Sequence, residues 1–269
     1  MFRGMRNTPR FQRLFGPGAA CVLAGALLVA GCSSNKSQFV SISAPQPPAF
    51  LNGPMALLLT NSSGFRAHVV LETSTPVKRV AEGTLLGKGT RLLFAPTLTK
   101  EGKKKPLLGG FAFIWNVDGN QGYLLNDPLQ AYSPYSSSLQ FTNVSLGAAA
   151  GAAAQSMGGH SCQPGEAIVA GADGSLAAFR LWRAKDLNGL PLRIVCTSGA
   201  TPLTLNLIKP RLEKLSDELF LPSTDFTKYD SPEALANELA LRQNSLKRRP
   251  SSALNDTEPA WDARVPSRP

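Results

Sequence analysis

From Phe65 onward, apolar and polar side chains alternate with a period of two. Phe65, Ala67, Val69 and Leu71 share one face of a strand, and Arg66, His68 and Glu72 share the other. Residues 83–96, GTLLGKGTRLLFAP, give two strand-like runs interrupted at Gly87 and Gly89, where a bulge or bend is expected. Phe111, Phe113, Trp115 and Val117 then share a face. The chain is predicted to turn at Asp118-Gly119, both turn positions favouring positive φ, and to return from about Gln121 to Asn126. Further strands are expected at about Glu166–Ala170, Ser175–Ala184 and Leu192–Thr197, and in the alternation of Leu203, Leu205 and Leu207 with Thr204 and Asn206. Short connections such as Ala172-Asp173-Gly174 and Asp186-Leu187-Asn188-Gly189 make this an antiparallel meander.

Other segments break the period. MALLLTN, residues 55–61, reads as a helical turn packed on the domain. GAAAGAAAQSMGG, residues 147–159, has no bulky side chain to bury and reads as a mobile loop. Ser231 as cap, Pro232 at the first position and Glu233 in the first turn start a helix whose apolar stripe is Leu235, Leu239 and Leu246. Residues 32–54, rich in Ser, Asn, Pro and Gln, read as a flexible tether spanning roughly 25 Å. Residues 247–269 are polar and Pro-rich, a disordered tail.

Composition agrees with turns joining short strands: 24 Gly and 21 Pro in 269 residues disfavour a helical bundle. The fold class is therefore α+β, one antiparallel sheet over residues 55–246 with one to three helices. The sheet is expected to need seven to nine strands. Its candidate covers are few: Met55–Leu59, the alanine loop and the Ser231 helix. The chain carries 28 basic and 18 acidic residues, including the clusters Lys103-Lys104-Lys105 and Lys247-Arg248-Arg249. Charge runs of this kind are ordinarily solvated, and without interleaved aromatics they do not point to nucleic acid.

Residues 1–31 have a distinct layout. Arg3, Arg6, Arg10 and Arg13 precede the apolar run 18–31, GAACVLAGALLVAG, which is too short for a spanning helix of about 20 residues. Val29-Ala30-Gly31-Cys32 resembles the lipobox of bacterial lipoproteins. The resemblance implies a cleaved signal peptide, a diacylglyceryl thioether on Cys32 and several acyl chains holding the mature chain on a membrane. Ser33 resembles the residue that accompanies outer-membrane delivery, so the expected location is the outer membrane, facing the periplasm.

The run from Gly159 to Tyr229 carries DGSLAAFRLWRAKDLNGLPLRI, an alternating strand and then LFLPSTDFTKY. These segments resemble a group of bacterial lipoproteins with an open β-barrel related to the LolA and LolB lipoprotein carriers. The resemblance implies a curved, unclosed antiparallel sheet with helices on its concave side. In the carriers that concavity holds acyl chains. The expected function is thus a lipid-anchored protein binding a hydrophobic ligand or lipidated partner. The alternative is a structural or interaction lipoprotein whose half-barrel is filled by its own side chains.

Candidate chemistry is sparse. His68 lies on the polar face of a strand and is expected to be solvated; His160 and Cys162 offer two ligands where a structural zinc needs four. Glu166, Asp186 and Asp225 read as turn and surface carboxylates. Trp182, between Arg180 and Arg183, is expected beneath the helix, with a cation–π contact to a partner as the other reading. Trp115, Phe111 and Phe113 form core or line an acyl pocket. Cys162 and Cys196 would meet an oxidising compartment that favours a disulfide, but the meander places Cys162 near the partner of Arg183 and Cys196 near Ala178, on non-neighbouring strands. No catalytic residue, metal or cofactor is expected.

Overall fold

The computed structural model describes residues 43–74, 76–97, 110–138, 140–149, 151–199 and 202–248. The signal segment 1–31, Cys32, the Lys103–Lys105 cluster and the tail from residue 249 lie outside the described residues. Among the described residues thirteen strands form one sheet: β1 (Asn61–Ser74), β2 (Val77–Gly89), β3 (Arg91–Pro96), β4 (Ala112–Asn116), β5 (Gln121–Asn126), β6 (Ala131–Ser136), β7 (Phe141–Ala148), β8 (Gln155–Met157), β9 (His160–Gly171), β10 (Leu176–Ala184), β11 (Leu190–Cys196), β12 (Leu203–Leu212) and β13 (Thr227–Lys228). Among the described residues two α-helices accompany them, α1 (Met55–Leu59) and α2 (Pro232–Arg248).

The strand order is β13-β6-β5-β4-β3-β2-β1-β12-β11-β10-β9-β7, with β8 paired to β9 off this path. Two meanders, β1 to β6 and β9 to β12, are therefore joined by pairing of β1 with β12. β7 and β13 stand at opposite ends of the order and do not pair, so the sheet is an open barrel. All ladders are antiparallel except the two-residue β13–β6 contact.

Three expectations change here. Thirteen strands replace seven to nine, in part because the alanine stretch is not simply a loop. Gly147 and Ala148 end β7, and Gln155–Met157 forms β8, which turns into β9 through Gly158 (φ 58°) and Gly159 (φ 88°). Two consecutive positive φ values make the tight hairpin that glycine permits. At Asp118-Gly119 the positive φ falls one residue later, on Asn120 (φ 48°), and the connection is the four residues Val117–Asn120. Finally, the tether ends well before Pro54: Phe50 and Leu51 are fully buried and Leu51 N donates to Pro48 O at 2.8 Å.

The concave face is one continuous apolar core. Phe65, Val69, Leu85, Phe94, Phe113, Trp115, Leu181, Ile194 and Leu205 meet Phe50, Leu51, Met55 and Leu59, and Leu235 of α2 joins them. Phe50 packs edge-on against Phe94 at 5.1 Å between ring centres. A Cβ at Gly87 would collide with the Phe65 ring, and one at Gly122 with Trp115 and Tyr135, so glycine at these positions lets strands approach closely under bulky rings. α2 begins as its sequence predicts, with Ser231 Oγ accepting from Ala234 N at 3.1 Å, and buries Leu235, Ala236 and Leu239.

The convex face of β2 to β6 is apolar too. Leu86, Ile114 and Leu125 pack under Leu215 and Phe220, the latter on a 3-10 turn over Asp217–Phe220. Lys88 Nζ (2.9 Å) and Arg91 (2.6 Å) pin that turn through Asp217, and the Arg91 guanidinium lies 5.7 Å from the centre of the Phe220 ring.

Two outcomes follow from this packing. Phe50→Ala should lower the unfolding free energy by about 3–5 kcal/mol in chemical denaturation, the cost of a core cavity; a residue in a free tether would leave it unchanged. Tyr135 OH is buried with no hydrogen-bond partner among the described residues, and burial pushes its phenol up. Tyr135→Phe should therefore hold or raise stability, by up to about 1 kcal/mol.

Candidate functional site

β1 and β2 form a long hairpin in which Ser74 pairs with Val77, while β2 meets β3 only from Gly83 onward. The hairpin thus outruns β3 among the described residues, while β1 stays paired with β12 as far as Thr73. Beneath it opens a cleft of about 870 Å³. One wall is Val77–Glu82 of β2, the floor is Phe94, Phe111 and Phe113, and the opposite wall is Pro45, Gln46 and Pro48 from the entering chain. Phe94 and Phe113 are core residues whose edges reach the floor; Phe111 is half-buried. Trp115 is wholly core.

A polar network borders the rim. His68 Nε2 lies 2.9 Å from Glu82 Oε1, Arg79 contacts the same carboxylate at 2.5 Å, and Glu72 sits 4.0 Å from Arg79. The hydrogen bond from His68, then Arg79, holds the Glu82 carboxyl below its usual range. His68, expected to be simply solvated, is instead a paired, half-exposed group; the carboxylate comes from the next strand, through the register His68↔Thr84.

The other candidates are dispersed. His160 Nδ1 lies 2.6 Å from Asp186 Oδ2, so Asp186 is more than a turn carboxylate. Cys162 is buried nearby, but its Sγ faces the carbonyl of His160 at 3.7 Å, not the ring. Burial, then the charge of Asp186, raises the thiol pKa, the reverse of what a nucleophile needs. Among the described residues no group of three metal-ligating side chains converges. Glu166 is exposed opposite Arg180, and Asp225 closes a turn by its backbone N–H to Ser223 Oγ.

Cys162 and Cys196 are free thiols. Cys162 faces Ala184 and Cys196 faces Phe179, on opposite sides of β10 and five residues apart in register. That separation exceeds the roughly 7 Å a disulfide spans. Trp182 lies beneath neither the helix nor the expected arginines: its Nε1 donates to Gln155 Oε1 at 3.0 Å, and the cation over its ring, at 5.7 Å, is Arg193 of the adjacent strand. The end of the hairpin, with Val77, Val80 and Ala81, is not evident from the sequence because Val77–Glu82 begin β2 before any clear alternation.

No protein-family model matches the chain, and no curated protein matches it. Among solved structures, PNGF-II in two crystal forms is similar over 67% of this chain, at 11% and 10% identity and a TM-score of 0.36; the chain spans about a third of PNGF-II (33% and 34%). The lipoprotein LppX of Mycobacterium tuberculosis is similar over 56% of this chain and 88% of its own, at 16% identity and a TM-score of 0.31. LprF of Mycobacterium bovis is similar over 62% of this chain and 94% of its own, at 11% identity and a TM-score of 0.30. Likeness at this level carries no function; the open-barrel assignment rests on the strand order itself. Among the described residues no helix is long and apolar enough to cross a membrane.

Four surface carboxylates have folded-state pKa values held down by hydrogen bonds from cations or histidines: Glu82 by His68, Asp186 by His160, Glu213 by Arg66 and Asp217 by Lys88. Each contributes stability above the ordinary carboxylate range, near about pH 4, and loses it as pH falls through the lowered folded value. Thermal unfolding followed across acid pH should show the midpoint falling below about pH 4. In Asp217→Asn that limb should be shallower and the midpoint at neutral pH modestly lower.

Proposed function

We propose that this chain is a lipid-anchored cell-envelope lipoprotein that binds a hydrophobic ligand, an acyl chain or a lipidated partner, in the cleft beneath the β1–β2 hairpin. The observation that carries the reading is the cleft itself. Its volume of about 870 Å³ falls in the range of roughly 300–1,000 Å³ typical of small-molecule sites. Its floor is three phenylalanines, and Glu72, Lys78, Arg79 and Glu82 place charge along its wall and rim, so an apolar chain would lie on the floor with a polar end at the rim. The anchor in this reading is a diacylglyceryl group on Cys32, with the outer membrane, periplasmic side, as its location. The reading assigns the cleft a carrier or binding role and no reaction, since His160 and Asp186 hold no nucleophile between them.

A second reading has its own observation. The centre of the concavity is filled by Phe50, Leu51, Met55 and Leu59, each almost wholly buried, which favours a structural or interaction lipoprotein with a self-filled barrel. The two readings separate in one measurement. Native mass spectrometry of the mature protein from its host should find co-purifying acyl mass beyond that on Cys32, and Ala81→Trp, which fills the cleft wall, should reduce it several-fold. A protein free of such mass in both forms supports the self-filled barrel. Cys32→Ala should move the protein from the membrane to the soluble fraction; retention on the membrane would contradict the anchor.

A further inference from the structure

A second cleft, of about 450 Å³, is walled by β1, β2, β11, β12 and the β8–β9 turn. Its charged lining is Arg79, Arg193 and Lys209 against one carboxylate, Glu72. Glu72 and Arg79 also line the cleft already described. Arg79 is engaged there by Glu82, with Glu72 at 4.0 Å. Arg193 and Lys209 have no ion pair among the described residues. The second cleft therefore carries two uncompensated cations, a field that draws an anion.

Arg193 is held in one orientation from two sides. Asn206 faces it across the β11–β12 ladder, and Arg193 Nε donates to Asn206 Oδ1 at 3.1 Å. The guanidinium lies 5.7 Å from the centre of the Trp182 ring, and Trp182 is itself fixed by its donation to Gln155. With Nε used on Asn206, the two terminal nitrogens remain, the pair that can grip two oxygens of one anion. Lys209 is held at a cost. Its φ is 50°, a region uncommon for any residue but glycine, and Pro210 after it favours extended backbone instead. The bend comes from one extra residue in β12, since Arg66 pairs with Arg211 and His68 with Ile208. Glycine would make the same bend at lower cost, yet the position holds a cation that lines the cleft; strain retained in this way points to function.

We infer that the second cleft binds a phosphate group carried on a short apolar body. The terminal nitrogens of Arg193 grip two phosphate oxygens and the Lys209 ammonium balances the remaining charge. Met157, Ile208 and Val70, which also line the cleft, meet the apolar part. Val70 is only 5% exposed, and Ile208 is 42% exposed, so the site has an apolar depth and an apolar lip beside its two cations. The inference goes beyond the proposed function and rests on neither the phenylalanine-floored cleft nor the anchor. A phosphate monoester in solution and a phospholipid headgroup share this chemistry.

The test is isothermal titration calorimetry of the full-length chain, in non-ionic detergent, with hexyl phosphate, monomeric dihexanoyl phosphatidylglycerol and hexanol as probes. Saturable binding of at least one phosphate probe, tighter than that of hexanol, is the expected result. Arg193→Gln should weaken it about tenfold, and Arg193→Lys, which keeps the charge and loses the fork, should recover only part. Lys209→Gly should weaken it about threefold while its thermal midpoint holds or rises, because glycine accepts the positive φ; a purely structural lysine would leave binding unchanged, and that result counts against the site. Tighter binding of hexyl phosphate supports a soluble monoester as the source, and tighter binding of the diacyl probe a lipid headgroup. No saturable binding, hexanol bound as tightly as the phosphates, or affinity indifferent to Arg193→Gln overturns the inference. Equal weakening by Arg242→Gln, an exposed arginine of α2 paired with Glu238, means a general effect of charge and also overturns it.

Discussion

An open sheet with one apolar face must bury that face against something other than itself, and in this chain ten residues supply most of the cover. Residues 50–59 contribute Phe50, Leu51, Met55, Ala56, Leu58 and Leu59 to the buried set. A five-residue helix is too short to be stable alone; α1 exists because the concavity holds it, and the concavity stays dry because α1 is there. With each large side chain contributing about 1.5–3 kcal/mol on burial, loss of this segment would expose the inward faces of both meanders at once. The junction of β1 with β12 serves the same end, since it makes two meanders present one continuous surface to one plug.

The two halves of the sheet solve the burial problem differently. β2 to β6 are apolar on both faces, and the 3-10 turn at Asp217–Phe220 closes the convex side with Phe220 while Lys88 and Arg91 fix it through Asp217. β9 to β12 present polar or charged side chains outward, among them Glu166, Arg180 and Arg193, with Ile168 and Leu176 exposed beside them. Exposed apolar residues scattered singly need no explanation; Val77 and Val80 differ in standing as a pair at the start of β2, before its pairing with β3.

Much of this architecture was legible because the period of two is a direct imprint of one-sided burial. Phe65 to Leu71, Phe113 with Trp115, and Leu203 to Leu207 fall where alternation puts them, and Ser231 caps its helix through the hydrogen bond its position implies. The misses share a physical cause. β8 has no apolar pattern because its role is to pair with β9 and to offer Gln155 to Trp182, and backbone pairing leaves no trace in hydropathy. Phe50 and Leu51 are two apolar residues in a polar stretch, too few to make a period, yet each fills a place in the core. The partners of His68 and His160 are fourteen and twenty-six residues away, so their ion pairs are products of register and turn geometry. The cleft was illegible for the same reason: its walls come from the entering chain and from strands β2, β3 and β4, and no local window contains them.

Filling and binding are usually opposed uses of a concave sheet, but here they occupy different places. The plug of residues 50–59 seals the middle of the concavity, while the cleft lies to one side, where the hairpin outruns β3 and where Pro45–Pro48 lead into the plug. A ligand in the cleft need not displace Phe50 or Leu59. It would lie against Phe94, which packs edge-on against Phe50 of the plug, and Phe113, which packs edge-on against Tyr135, so the filled core is what gives the cleft a fixed floor. A site floored by core phenylalanines can take a chain-shaped ligand without any change in the thirteen-stranded sheet.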